Sequence, residues 1–293
     1  MKRWLLIGGL ILVCLAIGLA IGIKVFTKHV GQLSLAEAVV KAGRFLRIDY
    51  QEVVPNPVSG TTKYLKLTVT PRIRKKTAVF IEECVVALRA GDRPLDLPHR
   101  LRMRLTGIRP IHPEALEELT GLGYHDLSLD LDLDLEYRPE DDRFTVHEIN
   151  LYAAQAGDMW LYLDLTGLEL TTETTLAEAL KRFHQSGLVL AELRYSDDSL
   201  VERLIAARAR EEEKRPEEVK AEILGHLEEK AGQTTSKPRA EALAGLARFI
   251  ENPDRLQVRA KPTTPTTFKE IIRLPKLVRG DWPAGIDLEL KAE

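Results

Sequence analysis

Between residues 60 and 170 apolar and polar positions alternate in successive short segments, the period of half-buried strands. "KYLKLTVT" turns Leu65, Leu67 and Val69 to one side, and "TAVFIEECVVAL" is apolar enough to predict a central strand. "RLRMRLTGI" buries Leu101, Met103 and Leu105 and turns Arg100, Arg102 and Arg104 outward. In "LSLDLDLDLEY" the leucines Leu127, Leu129, Leu131 and Leu133 alternate with acids, and Asp126, Asp130, Asp132, Asp134 and Glu136 share the other face. "FTVHEINLY" slips its apolar phase by one residue near His147 and Glu148. "MWLYLDLTGLEL" places Met159, Leu161, Leu163 and Leu165 on one face, and Gly167 predicts a bulge. About six antiparallel strands are expected over this stretch.

Helical spacing takes over afterwards. Pro113 already opens one short helix inside the β-rich part, "PEALEELTGLG". Thr175 and Glu178 stand in capping-box positions, with Gly187 as a stop. "LVLAELRY" is a strand candidate; "DDSLVERLIAARA" then starts at an Asp/Ser cap and puts Leu200, Leu204 and Ala207 on one stripe. Pro216 restarts a helix with Val219, Ile223, Leu224 and Leu227 on one face, and Leu243, Leu246, Ala247 and Ile250 make a third stripe. "RLQVRAKP" and "GIDLELKA" return to strand alternation. The expected fold is α+β: an antiparallel meander of about six strands, partly covered by a C-terminal helical block, followed by returning strands. One domain is expected over 30–293, β-rich at 60–170, helical at 174–252 and stranded again at 254–293.

The first 29 residues belong to a different regime. Trp4 to Ile23 is a run of 20 apolar or glycine residues between Lys2–Arg3 and Lys24. Such a helix spans roughly 30 Å, a bilayer core. The run exceeds a cleaved signal's apolar region, so an uncleaved signal anchor is expected ahead of cleavage. It implies a single-pass membrane protein whose short N-tail stays in the cytoplasm and whose chain after Ile23 is exported. A capping box, "SLAE" at Ser34 to Glu37, follows.

Charge and chemistry narrow the function. The formal net charge is -2, which excludes a nucleic-acid binder relying on overall basicity. Cys14 and Cys84 form no disulfide framework, and Cys84 is expected as a small buried hydrophobe. Asp130-x-Asp132-x-Asp134 opens like a calcium loop, but Leu135 replaces the glycine its turn needs, and no metal or cofactor is expected. The opposite charges of "RLRMR" and the acidic row suggest neighbouring strands, with Arg102 and Asp132 as a test pair. A solvated face without specific partners explains the row as well. "PRIRKK", Pro71 to Lys76, is the strongest local basic run and reads as a hairpin tip. No nucleophile elbow, phosphate loop, Cys-x-x-Cys or metal-spaced histidine pair occurs, so no catalytic set is expected.

The segments "GLGYHDLSLDLDLDLEYRPEDDRFTVHEINLYAAQAGDMWLYLDLTGLEL", "LRYSDDSLVERLI" and "RFIENPDRLQVRAKP" resemble uncharacterised exported proteins of Gram-negative bacteria. The strand texture is similar to that of AsmA-like envelope proteins, whose apolar sheet grooves are implicated in lipid handling. The resemblance implies a single-pass inner-membrane protein with the bulk of the chain in the periplasm and transfers no functional residue. The anchor, the long strands with few aromatics and the lack of a catalytic set then suggest a non-enzymatic module binding a lipid or amphipathic ligand along Leu127, Leu129, Leu131, Leu133, Met159, Leu161, Leu163 and Leu165. The alternative closes those leucines into a core. The chain is then a scaffold meeting envelope proteins through its charged face.

Overall fold

Alternation becomes hydrogen-bonded register in the computed structural model of the chain, which describes residues 46–293 apart from 57, 72–77, 90–98, 172–173, 175 and 273–284. Eleven strands form one antiparallel sheet. They are β1 (Leu46–Asp49), β2 (Glu52–Asn56), β3 (Thr61–Pro71), β4 (Val79–Arg89), β5 (Arg100–Pro110), β6 (Leu129–Arg138), β7 (Arg143–Ala153), β8 (Gly157–Thr166), β9 (Gly187–Asp197), β10 (Arg255–Pro262) and β11 (Ile286–Ala292). From β3 onward each strand pairs with the next in sequence. β1 and β2 keep one register along β3, from Leu46↔Pro71 to Asn56↔Thr61, as a single edge strand broken at Tyr50–Gln51.

Among the described residues six α-helices interrupt this order: α1 (Pro113–Gly121), α2 (Leu176–Gln185), α3 (Leu200–Glu211), α4 (Pro216–Gln233), α5 (Lys237–Glu251) and α6 (Phe268–Ile272). α3, α4 and α5 form a block inserted between β9 and β10, which pair regardless. Pro216 begins α4, and the Glu218 carboxylate accepts the Arg215 N–H at 3.0 Å, which occupies an otherwise unpaired donor.

One sheet face and the helices enclose the core. Leu101, Leu131, Leu135, Phe144 and Leu165 are at most 1% exposed, and Leu119, Phe183 and Leu204 from α1, α2 and α3 join the same apolar cluster. Phe183 meets Phe144 edge-on at 5.8 Å. At the far end Phe249 of α5 meets Tyr195 of β9 at 6.0 Å. Cys84 lies within this core, and burial, with Glu83 beside it, pushes its thiol up to about 12.

α5 also shields the last edge. Arg255 and Glu293 exchange both backbone bonds, so two-residue alternation turns the Leu290 carbonyl away from β10. A Cβ on Gly245 of α5 would stand 3.2 Å from that oxygen and 2.4 Å from Leu290 Cδ2. A helix seated this closely blocks further strand pairing. At the opposite edge, β2 is exposed throughout and includes Pro55, which has no N–H to donate.

Several expectations are corrected. The fold is one eleven-stranded sheet, and the returning strands β9, β10 and β11 extend it. β2 escaped the pattern because a short, exposed edge strand has no buried side to impose alternation, and β1, four residues long with Ile48 against the core, is too short to show one. No helix among the described residues is long and apolar enough to cross a membrane, so the membrane-anchor expectation gains no structural support. The stretch 4–23 that raised it, the box at Ser34, Thr175 and residues 72–76 of the basic run lie outside the described residues. Gly167, at φ +71°, ends β8 instead of bulging it. The bulges lie at Thr106–Gly107, at His147–Glu148 and at Val189.

Candidate binding face

The second face of the sheet is polar and meets solvent. On it β5 lies beside β6, with Arg100 opposite Glu136, Arg102 opposite Asp134 and Arg104 opposite Asp132. The Arg102–Asp132 pairing expected from sequence is therefore off by one rung. Arg100 donates to both oxygens of Asp134, Nε at 2.7 Å and Nη2 at 2.6 Å, and Arg102 adds a bond at 2.9 Å. Arg104 Nε reaches Asp132 at 2.6 Å.

Asp130 is used differently. At the β5 bulge two residues oppose it, and the Gly107 N–H freed there donates to its carboxylate at 2.8 Å. Gly107 sits at φ +67°, and a Cβ would stand 2.7 Å from Glu82 Cβ, so glycine is required. Glu136 contacts His147, the extra residue of the β7 bulge, at 2.5 Å. Asp130, Asp132, Asp134 and Glu136 thus each have a partner within the sheet. Burial alone would raise the Asp134 carboxyl, but the Arg100 and Arg102 hydrogen bonds outweigh it and hold it below the ordinary range. Among the described residues no group of three or more His, Cys, Asp or Glu is placed to hold a metal ion.

The leucines expected to line a groove lie on the enclosed face. Leu129, Leu131, Leu133, Leu163 and Leu165 are no more than 6% exposed; Met159 and Leu161 are half-buried against the same cluster. Leu127 and Asp126 precede β6, which starts at Leu129. A lipid groove needs these side chains partly uncovered, and at β6 they are closed over.

Solvent-facing aromatic residues went unnoticed in the pattern. Trp160 and Tyr162 occupy the outward positions between Met159, Leu161 and Leu163, and Tyr152 of β7, opposite Asp158, is 48% exposed. The signal was in "MWLYLDL": a strand with leucines inside carries rings, not charges, at two outward positions. Trp160 and Tyr162 run nearly parallel, 6.3 Å and 17° apart, and the Arg194 guanidinium lies 4.5 Å over the Trp160 ring. Glu192 accepts from Arg194 at 2.8 Å and from Gln257 at 2.9 Å, which fixes that guanidinium.

Beside this cluster a cleft of about 460 Å³ crosses β8 to β11. Its floor is two adjacent rows set by register. One row runs Asp158, Ser196, Arg255, Glu293, and the next runs Trp160, Arg194, Gln257, Lys291. The short Ser196 leaves the depression between its larger neighbours. Asp158 Oδ1 is buried there without a hydrogen-bond partner, and burial pushes this carboxyl up. An orphaned acceptor in a cleft is the kind of group a ligand's donor satisfies.

No curated protein matches the chain. A family model described only as "Uncharacterized protein" matches residues 150–293, a span containing every residue that lines the cleft.

Proposed function

We propose that the chain is a non-enzymatic interaction module that meets a protein partner through the solvent face of its sheet, with the leucine face serving as core. The observation that carries this reading is the cluster of exposed Tyr152 and Arg194 with half-buried Trp160 and Tyr162, on a face otherwise dominated by paired charges. Trp, Tyr and Arg dominate the binding energy of protein interfaces, because they combine large contact area with fixed polar geometry. The ion pairs around the cluster keep the face rigid, so little ordering is lost on docking. The test is photo-crosslinking in the source cells, with a benzophenone amino acid placed at Tyr152 or, as a control, at the exposed Glu228 of α4. A discrete protein adduct from position 152 and none from 228 is expected; equal labelling at both sites would refute the reading.

A further inference from the structure

Basic rows occur twice on the solvent face, and their surroundings differ. On β5 the row Arg100, Arg102 and Arg104 is answered by Asp132 and Asp134 at 2.6–2.9 Å. On β10 the row is Arg255, Arg259 and Lys261, all exposed. None of these three makes an ion pair within 4 Å among the described residues.

The acids nearest that row are engaged elsewhere or stand off. Glu192 and Glu289 lie opposite Arg259 in register, but Glu192 holds Arg194 and Gln257 and Glu289 holds Lys291 at 2.7 Å, and neither reaches Arg259 within ion-pair distance. Asp287 and Glu293 lie opposite Lys261 and Arg255 in register, without reaching ion-pair distance. Arg255 also lines the cleft, between the Ser196 depression and the β11 edge.

The chain itself illustrates what answers such a row. β6 presents an acid at every second residue, the spacing at which an extended segment matches cations on a neighbouring strand. We infer that the β10 row and the adjoining cleft bind an extended acidic segment of the partner, with acids four residues apart over Arg255 and Arg259, a third outward position over Gln257 between them, and its backbone donors toward Asp158. Arginine suits this role because its planar fork stays charged and engages carboxylates through two bonds. The inference rests on the solvent face being the interaction surface, and it adds the chemistry of what docks there.

The test is fluorescence anisotropy on the full chain, with labelled peptides alternating serine with aspartate or serine with lysine. The aspartate peptide should bind, more weakly as salt is raised, and the lysine peptide should not. Arg255→Glu with Arg259→Glu should weaken binding roughly tenfold and shift preference toward the lysine peptide. The milder pair Arg255→Gln with Arg259→Gln should weaken it without that shift, and circular dichroism checks that each variant folds. Binding that ignores both double variants, no aspartate-peptide binding, or tighter binding of a single-stranded oligonucleotide would each overturn the inference. If the adduct at position 152 persists while the aspartate peptide fails, the interaction surface stands and only its acidic partner chemistry falls.

Discussion

Asp158 shows how one residue can work against the fold that holds it. Its Oδ1 is buried without a partner, and burial raises its pKa, so the folded chain holds the proton more tightly than the unfolded chain. The resulting penalty is absent below the unfolded value of about 4 and complete above the raised folded one. Asp158→Asn should therefore raise the thermal midpoint at pH 7, a gain that shrinks and disappears as the pH falls below about 4; calorimetry across that range checks it. A destabilising carboxylate at the edge of a cleft fits a binding role better than a structural one. Single residues of this kind were not legible in the sequence, because an acid on an outward strand position looks the same whether its oxygens are wet or orphaned.

At the scale of elements, the paired β5 and β6 rows fix which residues meet. Slipping by one residue would bring arginines into the core and leucines into water. A double-mutant cycle on Arg100 and Asp134 should give a coupling of about 1 kcal/mol in low salt and less in high salt. The same cycle on Arg102 and Asp132 should give almost none, because Arg102 bonds Asp134 while Asp132 is held by Arg104. The depressed Asp134 carboxyl contributes stability above the unfolded pKa, and that contribution is lost as the pH falls through its lower folded value. The neighbourhood of these strands could be read from opposite charge in the sequence. The rung could not, since the bulge at Thr106–Gly107 belongs to backbone geometry. The phase slip at His147–Glu148, by contrast, was visible in the apolar pattern because β7 keeps Val146 and Ile149 inside across its extra residue.

For the molecule as a whole, the decisive question was which face is closed, and alternation alone is symmetric on that point. It separates leucines from acids but does not say what lies over the leucines. The answer depends on α1, α2 and α3 reaching across the sheet, a tertiary arrangement with no local signal. With Leu131 at 1% exposure, Leu131→Ala should cost roughly 2–5 kcal/mol in urea unfolding. Leu131→Asp should abolish the cooperative transition, because a carboxylate there has no partner.

The strand order also bears on how the chain is built at the ribosome. From β3 onward each strand pairs with the one made just before it, so a growing chain always has its next template in place. α5 precedes β10 and β11 in the sequence, yet it lies against the final free edge at Leu290. The piece that ends the sheet is thus synthesised ahead of the strand it covers, and the last edge need never wait uncovered among neighbouring nascent chains.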